Sequence, residues 1–446
     1  MQPEKQRTKK SPEDSPNLPG NTPEKSGNPD QRNGFSLGGR VKKFRRELEV
    51  KRGKRDIFFT EPLTKSEPEE PVTMVRGGID IPFLLIVCAL LGYGAVMVYS
   101  ASSVYGEQYM DNANYYILRH LMFMLFAIGI SVPFVLRAKP WVWRFLSMPI
   151  YIGAVLLLLL VLVIGREGGG AQRWIAIGPL SIQPSEIAKL AVVLVLAAYL
   201  SDHEKEVNSR HKFGGSLKHG VLIPGLMLGL ILALVLLEKH ISGLMIIGMI
   251  GISMMFLGGT RMRYIVFIAG AVAAVGCLLV LVSDYAQDRV NTWLYLEQVD
   301  PLGSAWQTLQ GLYAIGSGNL FGLGLGNSRQ KYGYVSQPQN DFIFTIVCEE
   351  LGFVGALIVV VLFALLLWRG FRIASKAPDR FSSLVVYGLC IKVVLQAVLN
   401  IAVVTNSMPN TGISLPFFSY GGTALALQIF EMAIVLSISR YSAVKQ

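Results

Sequence analysis

The stretch "SQPQNDFIFTIVCEELGFVGALIVVVLFALLL" (residues 336–367) begins as polar loop, passes one aspartate, Asp341, and continues as an almost unbroken apolar run over 342–367. At about 1.5 Å per residue such a run, wound as a helix, spans a bilayer hydrocarbon core of about 30 Å. Only Glu349 and Glu350 interrupt it. Ionisable groups inside a membrane segment are costly and are retained for a reason. The stretch therefore sets the fold class and raises the question of what its acids do.

Nine more apolar runs of similar length surround it, at about 81–100, 117–136, 145–164, 184–200, 219–237, 241–258, 264–283, 382–404 and 420–438. With 52% hydrophobic and 16% charged residues, this clustering predicts an all-α polytopic membrane protein of ten transmembrane helices. Backbone facing lipid must satisfy its own hydrogen bonds, so the runs read as helices. Only "EKH" separates the fifth and sixth, which makes that pair a tight hairpin.

Charge sets the expected orientation. The polar segment 1–80 holds 17 Lys and Arg, and the alternate connections on its side, with the C-terminal tail, hold 15. The other side holds 6, although it contains the longest connection, 284–340. Basic loops stay inside, so both termini are expected in the cytoplasm, with the long loop between helices 7 and 8 outside. The net charge of +11 is then what inward loops require, and nucleic acid is excluded as its reason. The cluster 41–55 has two readings, a contact to anionic headgroups and a solvated tail.

Residues 1–40, rich in Pro, Gly, Asn, Ser and Lys, are expected to be disordered. The domain reading is a disordered basic tail over 1–80, a membrane domain over 81–440 and a short cytoplasmic tail over 441–446. The first apolar run starts near Ile81, which reads as a signal anchor and not a cleaved leader. Cys88, Cys277, Cys348 and Cys390 all fall within predicted helices and form no CxxC, which reads as packing residues without a disulfide or zinc framework.

The unusual motifs crowd the outward side. "GGGAQRW" (168–174) offers a flexible glycine run, then Arg173, suited to phosphate, and Trp174, suited to a sugar face or the headgroup belt. "QPSEIAK" (183–189) opens a helix, with Pro184, Ser185 and Glu186 in its first turn. Glu186 and Lys189, at i and i+3, share a face and are expected to pair, as a binding element or as a structural pair. Deeper, Lys392 is expected to pair with Glu349 or Glu350 and set helix register, with Glu431 at similar depth. The glycine-rich "GSGNLFGLGLG" (316–326) lacks a GKS or GKT ending and reads as a tight-turning outer loop. "SYGG" (Ser419, Tyr420, Gly421, Gly422) opens a helix whose free N–H groups can face an anion. Asp341 has a plain reading as an N-cap or first-turn acid. Its helix dipole would lower its pKa and burial would raise it.

Taken together, "MVYSASS" (97–103), "GAQRWIAIGPLSIQPSEIAKL" (170–190), "AIGSGNLFGLGLGNSRQK" (314–331), "NDFIFTIVCEELGFVGA" (340–356) and "MPNTGISLPFFSYGG" (408–422) resemble the SEDS family (shape, elongation, division and sporulation), whose members include FtsW, RodA and SpoVE. "GLGLGNSRQK" resembles FtsW and SpoVE more than RodA. The resemblance implies a peptidoglycan glycosyltransferase in the bacterial cytoplasmic membrane, enriched at the division septum. It polymerises lipid II on the outer face, beside a class B penicillin-binding protein and other divisome proteins. The family's essential aspartate matches Asp341 in "NDFIFT". Arg173, Trp174, Pro184, Ser185, Glu186 and Lys189 match one outer signature. Pro409, Gly412, Pro416 and Ser419 to Gly422 match another. Two departures stand out. Val335, Ser336 and Gln337 replace the family's "LPE", and "LEKHISG" replaces "QPDLGT", which leaves Lys239 and His240 as candidate partners of pyrophosphate.

In that reading Asp341 is the general base for an attacking sugar hydroxyl. Arg173 and Lys189, with Lys239, Arg329 or Lys331, meet the departing pyrophosphate. No ligand cluster announces a cofactor or metal, and a divalent cation is left open as an aid. Two other readings use the same features: a lipid II flippase and a non-catalytic divisome scaffold.

Overall fold

The computed structural model describes residues 73–168, 171–177, 180–209, 215–282, 284–296, 298, 303 and 305–444. The expected disorder of 1–40 and the basic cluster 41–55 lie outside the described residues.

Helices α1 (Ile81–Met110), α2 (Tyr115–Arg137) and α3 (Pro140–Ile164) come first. Asp80 caps α1 by accepting from the Phe83 N–H at 3.0 Å. After α3 the chain forms a three-stranded antiparallel sheet of β2 (Arg166–Gly168), β3 (Ala171–Ile177) and β4 (Leu180–Ile182). α4 (Pro184–Asp202) and the short α5 (Glu204–Asn208) follow, then a π-helical turn over Lys218–Leu222 that leads into α6 (Ile223–Leu237). α7 (Ile241–Leu257), α8 (Met262–Val282), α9 (Asp284–Leu294) and α10 (Trp306–Ser317) precede the long α11 (Ile343–Ala374). α12 (Arg380–Val404) and α13 (Gly422–Ser439) complete the helices.

Among the described residues, eight helices are long and apolar enough to cross a membrane: α1 to α4, the π turn with α6, and α11 to α13. The shorter apolar helix α7 and the apolar helix α8 fall on the two remaining runs. The chain is a multi-pass membrane protein. α4 is apolar on all sides and buried on nearly all of them, packed among α3, α7 and α12. α2, α3 and α8 turn large apolar side chains outward, as lipid-facing helices do. The signature residues of "QPSEIAK" thus sit on the best-shielded helix of the bundle.

Several expectations need correction. Arg173 and Trp174, which follow the glycine run, lie on the middle strand of the sheet, with Arg166 opposite Trp174 and Ile175 opposite Ile182; Gly169 and Gly170 lie outside the described residues. The connection 284–340 contains α9 and α10. The two tails meet, because β1 (Thr73–Arg76) pairs antiparallel with β5 (Tyr441–Val444).

The expected pairing of Lys392 with Glu349 or Glu350 is wrong. Lys392 pairs with Glu431 of α13, both fully buried. Glu350 instead meets Lys331 at 3.1 Å and the Ser100 hydroxyl at 2.6 Å, and Glu349 accepts from the Arg329 N–H at 2.9 Å. The reason is a break in α11. Gly352 adopts φ 65, ψ −164, which stops the helix and leaves carbonyls without their partners. The segment 318–331 fills the break: Leu323 and Gly324 donate to the carbonyls of Glu349 and Glu350, both at 2.9 Å. Phe353 and Val354 donate back to Asn319 and Leu320. The glycine run is therefore a docked strap that supplies the hydrogen bonds a broken membrane helix lacks.

Candidate functional site

A cavity of about 450 Å³ opens where β3, α4, the α6–α7 turn, the N-terminal end of α11 and the segment before α13 converge. Most residues singled out from the sequence line it: Asp341, Arg173, Trp174, Glu186, Lys189, Ser419, Tyr420, Gly421 and Gly422. Four others do not. Ser185 is fully buried behind the wall, Lys239 is exposed at the α6–α7 turn, and Lys331 is spent on Glu350. Arg329 is also outside the lining.

Each wall is positioned by its own element. Pro184 occupies the first turn of α4, where its missing N–H costs nothing. One turn on, Lys189 donates to Glu186 at 2.6 Å and to the Gln396 side-chain carbonyl of α12 at 2.9 Å. Gln396 in turn donates to the Ser414 carbonyl at 3.0 Å, which ties this pair to the loop before α13. The pair is buried, yet Glu186 Oε2 and the Arg173 Nε have no hydrogen-bond partner among the described residues. Buried polar atoms are usually satisfied, so these mark where a polar ligand would sit.

Asp341 is half-buried at the cavity wall. It is not the helix cap: Phe342 takes the N-cap position of α11, without a side-chain cap. Asn400 holds its main chain by donating to its carbonyl at 2.7 Å. Gly412 has φ 66, and a Cβ there would stand 3.5 Å from Asp341 Oδ2. Burial raises the Asp341 pKa and wins over the opposing pull of its own backbone N–H, Arg289 and Arg173. The competition that the residue types left open is thus decided by desolvation.

The α6–α7 turn contributes His240, whose buried Nδ1 has no partner among the described residues. Burial, reinforced by Arg173 and Lys189, pushes its pKa down to about 3, so it faces the cavity as a neutral ring. Glu238 beside it is pushed up to about 8 by burial and is neutral too. The hairpin therefore offers the cavity no cation; the positive groups in the lining are Arg119, Arg173 and Lys189. Arg119, on α2, donates to the Tyr115 hydroxyl at 2.8 Å. Arg119 falls within the apolar run 117–136, and an arginine inside a membrane run is itself a signal. Asn400, Gln396 and Arg289 were missed as well, since no local pattern distinguishes them. Among the described residues no group of His, Cys, Asp and Glu could hold a metal.

The loop before α13 closes the cavity. Tyr420 N–H donates to the Gln339 carbonyl at 2.8 Å, and the Thr423 hydroxyl to the Ser181 carbonyl at 3.0 Å. Gly421, in extended backbone, is the N-cap of α13 and has no capping side chain. The N–H groups of that first turn are open to an acceptor.

Comparison with known proteins gives a consistent answer. Residues 82–444 match the family described as cell cycle protein FtsW, RodA and SpoVE. The chain is 40% identical over 375 residues to Stage V sporulation protein E of Bacillus subtilis (strain 168), covering 83% of this chain and 100% of the relative. It is 35% identical over 363 residues to the probable peptidoglycan glycosyltransferase FtsW of Trichlorobacter lovleyi, covering 81% of this chain and 93% of that one. Among solved structures, a chain from a study of how a peptidoglycan synthase complex coordinates polymerization and crosslinking aligns with TM-score 0.66 at 27% identity, covering 81% of this chain and 98% of the other. The rod shape determining protein RodA of Thermus thermophilus aligns with TM-score 0.60 at 26% identity, covering 81% and 97%.

Proposed function

This chain belongs to the FtsW, RodA and SpoVE family of cell cycle proteins, and from that premise we propose that it is a peptidoglycan glycosyltransferase that polymerises lipid II. The observation that carries the reading is the placement of Asp341. Of the two carboxylates in the lining, Glu186 is held by Lys189, which leaves half-buried Asp341 facing a wall that also holds Arg119, Arg173 and Lys189.

The chemistry divides between these groups. The incoming sugar hydroxyl attacks the anomeric carbon of the lipid-linked donor, and its proton passes to Asp341. The bond to the undecaprenyl pyrophosphate breaks, and the leaving group takes the electron pair. Its developing charge faces Arg173, Arg119 and Lys189, with the N–H groups of Gly421 and Gly422 as further donors. Glu186 holds Lys189 in place. Trp174, Ser419 and Tyr420 offer surfaces for the sugars. Neutral His240 serves as a hydrogen-bonding group, and Lys239, outside the lining, has no contact in this reading.

The active face is the outer side of the cytoplasmic membrane, by the bias of Lys and Arg in the connections. A class B penicillin-binding protein is the expected partner, consistent with the synthase complex to which one structural relative belongs. The division or sporulation branch, and with it a septal location, is favoured by the relatives named above.

The test is glycan polymerisation by the purified full chain with lipid II, moenomycin and, where the chain alone is silent, its partner. Polymer from wild type and none from an equally folded Asp341→Asn variant supports enzyme and base together. Polymer from both removes Asp341 as the base. Polymer from neither turns the reading to lipid transport or scaffolding.

A further inference from the structure

At the other end of the helices lies a second cavity, of about 270 Å³. It forms where the start of α1 meets the C-terminal ends of α11 and α13, and its lining includes Asp80, Arg369, Arg372, Lys376, Ser439 and Arg440. We propose that this cavity binds the phosphate headgroup of an anionic glycerophospholipid.

Charge is the first reason. Four cations face one acid in the lining. Arg369 neutralises that acid with a two-pronged contact to Asp80, Nε at 2.9 Å and Nη2 at 2.8 Å. Arg372, Lys376 and Arg440 remain uncompensated by any acid of the lining. Arg440 donates from Nη1 to the Leu136 carbonyl at 2.6 Å, while its buried Nε has no partner among the described residues. An unpartnered guanidinium N–H on a residue that lines a cationic cavity is a group that an anion can complete.

Depth and surface are the second reason. Arg369 is 17 residues beyond the break at Gly352, toward the C-terminal end of α11, whereas the first cavity lies at its N-terminal end. The two cavities thus lie at opposite ends of a segment long enough to cross the bilayer, toward opposite headgroup layers. Trp368 is 53% exposed with Arg372 stacked over its ring at 5.0 Å, and Phe371 is exposed beside it. Such aromatic side chains mark a membrane–water interface. Ile81 and Leu85 of α1 are also exposed, which gives acyl chains an apolar track next to the cationic cavity. Cations in a pocket and lipid-facing apolar surface beside it select a ligand that is both anionic and acylated. This inference stands apart from the glycosyltransferase reading, since none of these residues lines the first cavity.

The test uses the full chain in mild detergent and native mass spectrometry. The probes are dioleoyl phosphatidylglycerol, dioleoyl phosphatidylcholine and inorganic phosphate. Arg372 and Lys376 are exposed, so Arg372→Gln and Lys376→Gln leave packing intact. Wild type is expected to retain phosphatidylglycerol over phosphatidylcholine. Each variant is expected to lose about fivefold in retention, and the double variant more. Lys139→Gln, a basic residue outside the cavity, is expected to behave as wild type. Unchanged retention by the double variant, an equal loss in Lys139→Gln, or displacement of the lipid by inorganic phosphate overturns the proposal.

Discussion

The side-chain amide of Asn400 donates to the main-chain carbonyl of Asp341 at 2.7 Å and to that of Ile413 at the same distance. One residue of α12 thereby joins the proposed base to the loop that closes the cavity. Asn400→Ala leaves two carbonyls without this donor and frees Asp341 to shift. The stability cost is about 1–3 kcal/mol, and the turnover of lipid II drops by roughly 100-fold. Thermal unfolding and polymerisation kinetics together check this, and an unchanged turnover in a folded variant would remove the positioning role.

Asp341 has a second consequence, in pH. Its folded pKa is raised by burial, so the proton leaves later than from an ordinary aspartate near 3.9. Activity is expected to rise with pH through that raised value, as the base form appears. Stability moves the opposite way. A raised carboxyl pKa stabilises below the unfolded value and loses this contribution as pH rises through the folded one. Asp341→Asn is therefore expected to be inactive but to melt higher than wild type at neutral pH, with the two curves meeting in acid. Identical melting at all pH values would contradict the burial of the charge.

Lys392 and Glu431 form a buried ion pair in the bundle interior. Glu431→Gln or Lys392→Met alone strands a buried group and is expected to cost about 3–5 kcal/mol. Lys392→Met combined with Glu431→Leu removes both charges and is expected to recover most of the loss. A double-mutant cycle read by thermal unfolding checks it, and additive losses would mean the two do not depend on each other.

The strap at the α11 break depends on glycine. Gly322 has φ 81, and a Cβ there would lie 2.1 Å from the Glu350 carbonyl oxygen. Gly322→Ala is expected to displace the strap, cost about 1–3 kcal/mol and release Lys331 from Glu350. Hydrogen exchange over 318–331 is the readout, with faster exchange confined to that segment and to the turn around Gly352. Unaltered exchange would show that the strap tolerates a side chain there.

Some of this protein is determined by sequence alone. Apolar runs of bilayer length specify the helices, because backbone in lipid has few other ways to satisfy its hydrogen bonds. Asp341, Glu186 and Lys189 stand out because polar groups at membrane helix ends are costly to keep, and Arg173 because it follows the glycine run in the connection just before them. The Glu186–Lys189 pair follows from helical spacing itself. What only the tertiary structure decides is which distant groups meet. Lys392 lies at a depth shared by Glu349, Glu350 and Glu431, and depth cannot choose among them. The choice rests on the helix faces and on the break at Gly352, which gives Glu349 and Glu350 to the strap. Whether Asp341 is held up or down in pKa is equally a question of packing. Dipole and cations act locally, but burial sums over every element around the cavity, and no single stretch of sequence contains that sum.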